Sequence, residues 1–504
     1  MTAQDLPPPA TRPALHKSRM FWVGVLYFAQ GFPLGAFYDL FPVYFRQQGV
    51  DLAQIGVLSL LGLSWSIKFL WAPAIDHFRH HRRWMLAVDL SMGSIFLLFA
   101  VHAGFGPWVW FAIGLFTLLS ATNDIAIDGY TIELLDKHQL GLANGLRIGF
   151  YRVGMLGAGF LLALTGLIGW SGAFIAGAVL LAAAGLACFS APRERARAAA
   201  GVSAGRELRG LLHHPRVFIP LLLFMAGLLA GALRAPRTAA ALVGVATVVV
   251  LWGRLRRQAG PAKGVPEGPL FGALLEMLQR PYFLPVMLFV LTFKLADSAM
   301  GFMVKPFWVD AGFSATQIGL VSVNIGLVLS IAGGLAGGWF TDRAGIFRGL
   351  WVLGLLQAFS NLGYAWAAHV LPLTAAGTVL PLSHKLLMYS VSALESFTSG
   401  LGTAAFLAFL MVIVNKKHSA TEYALLSSIF ALSRSVAGWA SGYGAQDMGY
   451  SDYFLFTFFL AFPAYLLLPW VKKMLDYVET RKEWDMLGAT GPASAADGAD
   501  GGPG

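Results

Sequence analysis

Apolar runs long enough to cross a membrane recur along the whole sequence. A helix needs about 20 apolar residues to cross a hydrocarbon core of roughly 30 Å. The chain is 57% hydrophobic and only 12% charged, whereas a soluble globular chain carries about 25% charged residues. A soluble core could not bury that much apolar surface. The sequence therefore predicts an all-α polytopic membrane protein, with the lipid bilayer as a partner along most of the chain.

The apolar runs fall into two sets of six, with two shorter runs between the sets. Each run ends at charged residues, Gly or Pro, which mark the boundaries of membrane helices. The predicted spans of the first set are 20–46, 52–75, 84–105, 107–134, 143–168 and 171–190. Those of the second set are 281–309, 316–341, 348–368, 386–414, 420–445 and 452–477, and the two shorter runs are 217–233 and 238–253.

This layout divides the chain into five regions. They are a cytoplasmic arm (1–19), an N-terminal six-helix bundle (20–190), an inter-bundle region with two extra membrane helices (191–280), a C-terminal six-helix bundle (281–477) and a cytoplasmic disordered tail (478–504). The sequence leaves open whether the two extra helices span the membrane or lie on it, because both are at the lower limit of length.

Lysines and arginines cluster in alternate loops, on the side of the membrane that also holds both termini. The clusters lie at 79–83, 193–216, 254–257 and 472–482, whereas the other side holds only Arg46, Arg234, Arg237 and Lys385. Because positively charged loops stay in the cytoplasm, we predict that both termini are cytoplasmic. This pattern also accounts for the net charge of +10 without a nucleic-acid partner.

Short motifs of the first set of spans return at equivalent places in the second. The stretch 53–56, Ala-Gln-Ile-Gly, recurs as Thr-Gln-Ile-Gly at 316–319. Transporters built from structural repeats show this kind of internal similarity. An aspartate followed by arginines also closes both the second and the eighth span, and this repeated loop predicts a cytoplasmic gating latch of Asp76, Arg79, Asp342 and Arg343.

Motifs of ATP-driven or enzymatic membrane proteins are missing from the sequence. It has neither a P-loop nor a His-Glu-x-x-His pattern, and its single cysteine, Cys188, cannot form a metal cluster. We therefore expect no enzymatic activity, no cofactor and no bound metal. The repeat favours a secondary transporter driven by an ion gradient; the alternative from another class is a non-transporting assembly factor or sensor.

The fourth span carries the densest group of intramembrane charges. Charged side chains at the bilayer centre cost at least about 2.5–3.5 kcal/mol each, so they mark cavities, pairs or relays. Asp124 and Asp128 are four residues apart and share one helix face. Arg147 and Arg152 on the fifth span are candidates to neutralise them. The pair is either a proton relay or substrate clamp, or a static salt-bridge lock between helices.

The second set of spans carries its own charges. Lys294 and Asp297 are three residues apart on the seventh span and could satisfy each other, and Glu395 lies among serines on the tenth span, as expected of a coupling-ion site. Arg434 occupies in the second repeat the place of Arg152 in the first. Two arginines facing one cavity would attract an anionic substrate.

Several of these motifs together resemble one transporter group. The chain resembles the AmpG muropeptide permeases and the related acetyl-CoA transporters of the major facilitator superfamily at 31–34, 54–56, 68–76, 123–129 and 419–428. The resemblance implies the major facilitator fold of two six-helix bundles. It also implies proton-coupled import, across the bacterial inner membrane, of anhydro-muropeptides, the sugar–peptide fragments released during cell-wall turnover. Acetyl-CoA or another anionic metabolite is the alternative within the group.

The residues and the resemblance together predict the site. Asp124 and Asp128 would lie in the fourth-span signature of the group, where Asn123 stands in place of a frequent Gln. The predicted proton-coupling residues are Asp124, Asp128 and Glu395, and the predicted substrate-binding residues are Lys68, Arg147, Arg152, Arg434 and Asn123. Asp39, Lys294 and Asp297 are further intramembrane charges, and Asp89 on the third span is predicted to be structural. The expected partners are protons and a small anionic substrate, and the expected state is a monomer.

Overall fold

The structure is a computed structural model in which a helix lies at each of the twelve predicted spans. It describes residues 18–68, 71, 75, 80–102, 104–134, 140–193, 282–375, 377–414 and 419–487. Several predictions fall outside these residues: most of the N-terminal arm, the latch residues Asp76 and Arg79, the runs 217–233 and 238–253, and the last part of the tail.

The helices are numbered here in chain order. Those of the first set are α1 (Arg19–Gln47), α2 (Leu52–Ile67), α3 (His81–Val101), α4 (Pro107–Leu134), α5 (140–168) and α6 (170–189). Those of the second set are α7 (Phe283–Phe293 with Leu295–Asp310), α8 (Ala315–Ala344), α9 (Ile346–Val370), α10 (Leu382–Ile413), α11 (Ser419–Met448) and α12 (Tyr450–Leu460 with Phe462–Leu487). The last helix continues past residue 477, where we predicted the disordered tail to begin.

Local sequence explains where several helices break. Gly169 has a φ of 68° and separates α5 from α6, a backbone conformation that glycine adopts without steric cost. Pro33 lies inside α1 and is followed by a π-helical turn at Ala36–Leu40. The repeated Gln of α8 completes a capping box, because Ser314 Oγ accepts from the Gln317 backbone N–H while the Gln317 side chain accepts from the Ser314 N–H.

The chain divides into two compact units. The first comprises Met1–Tyr44 and Lys68–Ala199, and the second comprises Phe45–Ile67 and Ala200–Gly504. The helix α2 therefore belongs to the second unit, where it packs on α11. The two helices pack closely at Gly56 and Gly442, where a Cβ on Gly56 would lie 2.8 Å from the Gly442 Cα.

In the first unit, aromatic rings and glycines bring the helices together. Phe41 of α1 contacts the rings of Phe96, Phe116 and Phe174 from α3, α4 and α6. The helix α1 also packs closely on α5, because Gly31 leaves no side chain between its backbone and the carbonyl of Tyr151. Small residues at helix crossings permit such backbone contacts in membrane proteins.

The second unit uses the same two devices. Phe293 of α7 stacks on Phe406 of α10 at 5.5 Å between ring centroids, within an apolar core that extends to α9 and α12. Gly333 and Gly337 of α8 face the backbone of α10 at Phe397 and Leu401. The glycine-rich run of the eighth span therefore serves helix packing.

Large apolar side chains also cover the outside of the helices. Phe111, Leu167 and Leu335 are 76%, 83% and 73% exposed, which is unfavourable in water and favourable against lipid. Within the described residues, eight helices are long and apolar enough to cross a membrane, and α2 is a shorter apolar helix. Polar residues such as Gln357 and Asn361 of α9 are buried instead of facing outward.

Candidate functional site

The first group of polar residues lies in the first unit around α4, and we name it the first cluster: Lys68, Asp124, Asp128, Tyr27 and Arg147. Lys68 Nζ lies 3.2 Å from Asp124 Oδ2, and the two side chains are 31% and 11% exposed. Asp124 is thus held by a cation from a different segment of the chain.

The second carboxylate of α4 has different partners. Asp128 Oδ1 accepts from the Tyr27 hydroxyl at 2.8 Å and lies 3.0 Å from Arg147 Nη2. The guanidinium of Arg147 also lies over the Tyr27 ring, 4.8 Å from its centroid, a favourable cation–π arrangement. The Arg147 side chain is 45% exposed, so this part of the cluster is open to a ligand.

Each carboxylate of α4 therefore has its own cation. Two carboxylates one helical turn apart would repel each other if both were ionised without counter-charges. The sequence indicated an arginine of the fifth span for this role, and Arg147 fills it for Asp128. The partner of Asp124 is Lys68, which we had predicted to bind substrate. Arg152 of α5 and Asp39 of the π-helical turn are both half-buried.

Behind this cluster, α4 is joined to α3 by two buried polar side chains. Asn123 Nδ2 donates to Asp89 Oδ1 at 2.8 Å. Asn123 is 1% exposed and Asp89 is 0% exposed. Asn123, which we had predicted to bind substrate, thus directs its amide nitrogen toward Asp89.

The second group of polar residues lies in the second unit, and we name it the second cluster: Lys294, Asp297, Gln357, Ser399 and Glu395. Lys294 Nζ lies 2.9 Å from Asp297 Oδ2 and donates to Gln357 Oε1 at 3.0 Å. Ser399 of α10 donates to Asp297 Oδ1 at 3.2 Å. The Lys294 and Asp297 side chains are 4% and 19% exposed, so the lysine is almost fully desolvated and the aspartate is mostly so.

Glu395 lies on α10 one turn before Ser399. Ser396 donates to Glu395 Oε2 at 3.2 Å, and within the part of the chain that the structure describes no salt bridge to Glu395 occurs. Lys305 of α7 donates to Ser322 Oγ at 2.8 Å. Arg434 lies half-buried on α11, next to Ser433, whose hydroxyl donates to the Leu291 carbonyl of α7.

A third group, at the ends of helices on the predicted outer side, was not predicted from the sequence. Arg46 donates to both oxygens of Asp310, from Nε at 2.7 Å and from Nη2 at 2.6 Å. The Tyr450 hydroxyl donates to Asp310 Oδ2 at 2.7 Å. We name Arg46, Asp310 and Tyr450 the outer triad. In the sequence, the one indication of this triad was that few arginines lie on the predicted outer side.

The described half of the predicted cytoplasmic latch lies at the end of α8. Asp342 and Arg343 are exposed, and the Arg343 guanidinium lies 4.5 Å from the centroid of the Trp339 ring. Among the described residues, no group of three or more His, Cys, Asp or Glu side chains could hold a metal ion.

These features define a class: a polytopic helical membrane protein with ion pairs and polar networks inside its spans, as transporters have. A family profile described as the Major Facilitator Superfamily matches residues 67–377. The chain therefore belongs to the major facilitator superfamily of transporters. A second profile, described as acetyl-coenzyme A transporter 1, matches residues 19–106.

Individual proteins similar to this chain include permeases. It is 28% identical over 471 residues to the anhydromuropeptide permease of Escherichia coli strain K12, covering 90% of this chain and 79% of that protein. It is 24% identical over 475 residues to putative transporter AmpG 4 of Rickettsia felis, covering 91% and 97%.

Solved structures show the same fold at low identity. An auto-inhibited peptide transporter of the POT family matches with a TM-score of 0.63 and 13% identity, covering 90% of this chain and 96% of that chain. A bacterial homologue of the lysosomal transporter Spinster matches with a TM-score of 0.59, covering 93% and 99%. The predicted all-α polytopic fold of the superfamily is confirmed, as is the prediction of a transporter instead of an enzyme.

Proposed function

We propose that this protein is a proton-coupled importer of anhydro-muropeptides. It acts by alternating access in the bacterial inner membrane, as a monomer with both termini in the cytoplasm. The observation that carries the substrate class is the half-exposed Arg147, whose guanidinium lies over the Tyr27 ring beside Asp128. The similarity to the Escherichia coli permease over 90% of the chain supports the same class.

The first cluster suits a ligand that combines sugar and carboxylates. Arginine binds carboxylates through paired N–H donors in a fixed plane, and an aromatic ring offers a face for the apolar side of a sugar. Lys68, Arg152 and Arg434 would add to the positive potential that attracts an anion. A muropeptide carries both kinds of group, so it matches this set of side chains.

Substrate binding and proton binding would be linked through Arg147. A substrate carboxylate that takes up the guanidinium competes with Asp128, which lies 3.0 Å from it. Asp128 would then be able to accept a proton, with the Tyr27 hydroxyl already donating to it. Asp124, which is held by Lys68 at 3.2 Å, would exchange its proton when that lysine moves away.

Glu395 would be the proton-coupling residue of the second unit. Its neighbour Asp297 is held by Lys294 and Ser399, whereas Glu395 accepts from a neutral serine. A partly buried carboxyl group next to another carboxylate can bind and release a proton as its surroundings change. Asp297 would stay ionised while Glu395 titrates.

The outer triad would hold together the outer ends of α1, α7 and α12. A bidentate arginine–carboxylate pair is among the stronger polar contacts in proteins, and a tyrosine hydroxyl completes it. Opening to the outside would require these contacts to break. Asp342 and Arg343, with Asp76 and Arg79, would act as the cytoplasmic latch in the opposite state.

Acetyl-CoA or another anionic metabolite is a second candidate substrate. The match of residues 19–106 to the acetyl-coenzyme A transporter profile favours it, and the same cations would bind phosphates. Competition binding to the purified protein separates the two candidates. If the protein imports muropeptides, bound labelled anhydro-muropeptide is displaced by unlabelled fragments and not by acetyl-CoA.

The proposed function is tested in cells that lack the protein. We expect the deletion strain to lose peptide-labelled wall fragments to the medium. The wild-type gene should restore their uptake, whereas Arg147→Ala should not. Lys472→Ala, which removes an exposed charge of α12, is the matched control and should restore uptake. Normal retention of fragments by the deletion strain would rule out the substrate assignment.

A further inference from the structure

The buried contact between Asp89 of α3 and Asn123 of α4 leaves two oxygen atoms without a hydrogen-bond partner among the described residues. An ionised aspartate does not explain this. Asp89 Oδ1 accepts from Asn123 Nδ2. The other oxygen of each side chain, Asp89 Oδ2 and Asn123 Oδ1, is buried and has no hydrogen-bond partner among the described residues. Buried polar atoms are paired in the great majority of cases, so two orphans in one contact require a reason.

Among the described residues, no positive charge is paired with Asp89 to balance an ionised form. Asp89 is fully buried, and the salt bridges of the described residues do not include it. From α6, Gly185 packs against it, with a Cβ there falling 2.8 Å from the Asp89 Cβ. The titratable group facing it from that helix is the Cys188 thiol, and the group facing it from α4 is the neutral Asn123 amide.

One proton resolves both orphans at once. Both unpaired atoms are acceptors when Asp89 is ionised. A proton on Asp89 Oδ2 can be donated to Asn123 Oδ1, while Asn123 Nδ2 continues to donate to Asp89 Oδ1. The two side chains then form a closed pair with two hydrogen bonds and no net charge, which removes the cost of an isolated buried carboxylate.

We propose that Asp89 is a neutral carboxylic acid that forms a doubly hydrogen-bonded acid–amide pair with Asn123. This pair fixes the rotation of α4 against α3. Successive residues of a helix point about 100° apart, so an Asn123 held against α3 directs the next residue, Asp124, away from α3 and toward Lys68. Asn123 and Asp89 are thus positioning residues for the first cluster and do not contact substrate.

The inference rests on the proposed function only for its transport measurement, because the protonation of Asp89 can be observed directly. A protonated carboxylic acid has a carbonyl stretch at higher frequency than a carboxylate. In infrared spectra of the purified protein at neutral pH, we expect a buried carboxylic-acid band, resistant to hydrogen exchange, that is lost in Asp89→Asn. An unchanged spectrum in that variant would overturn the proposal.

Side-chain swaps test the pair through transport. Asp89→Leu leaves the Asn123 amide unpaired and should lower uptake about tenfold. Asp89→Asn supplies a neutral side chain of the same shape and should retain uptake within about twofold of wild type. Asn123→Asp places two acids in contact and should lower uptake about tenfold, and the double variant Asp89→Asn, Asn123→Asp should recover most of it.

The outcomes separate this proposal from the proposed function. If Asp89→Asn loses uptake as severely as Asp89→Leu, or if the swapped double variant recovers none, Asp89 acts through a charge or a moving proton and the proposal is wrong. If the wild-type protein transports no muropeptide, the proposed function fails. The infrared comparison of wild type with Asp89→Asn still decides whether the acid–amide pair exists.

Discussion

The first and second clusters both contain a lysine–aspartate ion pair, yet they differ in how the pair is built. Lys68 and Asp124 come from distant parts of the chain and lie 3.2 Å apart. Lys294 and Asp297 lie three residues apart at the break in α7, 2.9 Å from each other. A pair between residues close in the sequence depends little on the movement of other helices, whereas a pair between distant segments responds to their movement.

The two clusters also differ in their contact with solvent. In the first, Arg147 and Asp128 are 45% and 28% exposed, and in the second Lys294 is 4% exposed. Exposed ion pairs contribute little to stability and can be exchanged for a ligand. Buried ones are costly to break because a lone charge stays behind. We infer that the first cluster binds substrate and responds to helix movement, while the second keeps Asp297 ionised beside Glu395.

The largest effect is expected from breaking the buried pair of the second cluster. Lys294→Met leaves Asp297, whose side chain is 19% exposed, as an uncompensated and mostly buried charge and should lower the free energy of unfolding by about 3–5 kcal/mol. The double variant Lys294→Met, Asp297→Leu removes both charges and should recover most of that loss. Thermal unfolding in detergent measures both. Equal destabilisation by the single and double variants would show that the pair is not desolvated.

A second variant tests whether Glu395 carries a coupled proton. One proton moved per substrate contributes about 1.4 kcal/mol per pH unit, or about tenfold accumulation. With a gradient of about two pH units, Glu395→Gln should therefore lower accumulation about 100-fold, while exchange of internal for external substrate persists. Ser396→Ala is the control, since it changes a partner of the carboxylate and keeps the carboxylate itself. Wild-type accumulation in Glu395→Gln would exclude this role.

In the first cluster, we expect Arg147→Ala to affect binding more than stability. Loss of a charge-assisted hydrogen bond to substrate should raise KM about tenfold or more. The free energy of unfolding should change by no more than about 1 kcal/mol, because the ion pair is exposed. Arg147→Lys keeps the charge but not the planar donors, so its KM should lie between those of the wild type and Arg147→Ala. A KM unchanged in both variants would remove Arg147 from the substrate site.

The smallest expected effect concerns the outer triad. Tyr450→Phe removes one hydrogen bond to Asp310 and should destabilise the conformation seen here by about 1 kcal/mol. Accessibility of introduced cysteines from the outer side, measured with a membrane-impermeant thiol reagent, should rise accordingly. Tyr477→Phe on the same helix is the control. Equal accessibility in both variants would mean that the triad does not close the outer side.

The helices could be predicted closely because hydropathy alone marks them. The predicted span 107–134 coincides with α4, and 386–414 differs from α10 by a few residues. The described helix α2 ends at Ile67, within the predicted span 52–75. Its place in the second unit depends on the glycine contact with α11, which hydropathy does not indicate.

Some contacts of the site were also predictable, namely those that spacing controls. Lys294 and Asp297 are three residues apart, and helical geometry brings such residues together. The pairs Lys68 with Asp124 and Arg46 with Asp310 join residues far apart in the sequence. Their formation depends on the rotation of each helix about its axis, which a pattern of apolar runs does not fix. Asp89 was predicted to be structural, but its partner could not be predicted for the same reason.

The most direct test of the account is transport by the purified protein in proteoliposomes. With labelled anhydro-muropeptide and an inwardly directed proton gradient, we predict accumulation that a protonophore abolishes and that Asp124→Asn lacks. Uptake at the same rate with and without the gradient, unaffected by Asp124→Asn, would contradict proton-coupled import through the first cluster.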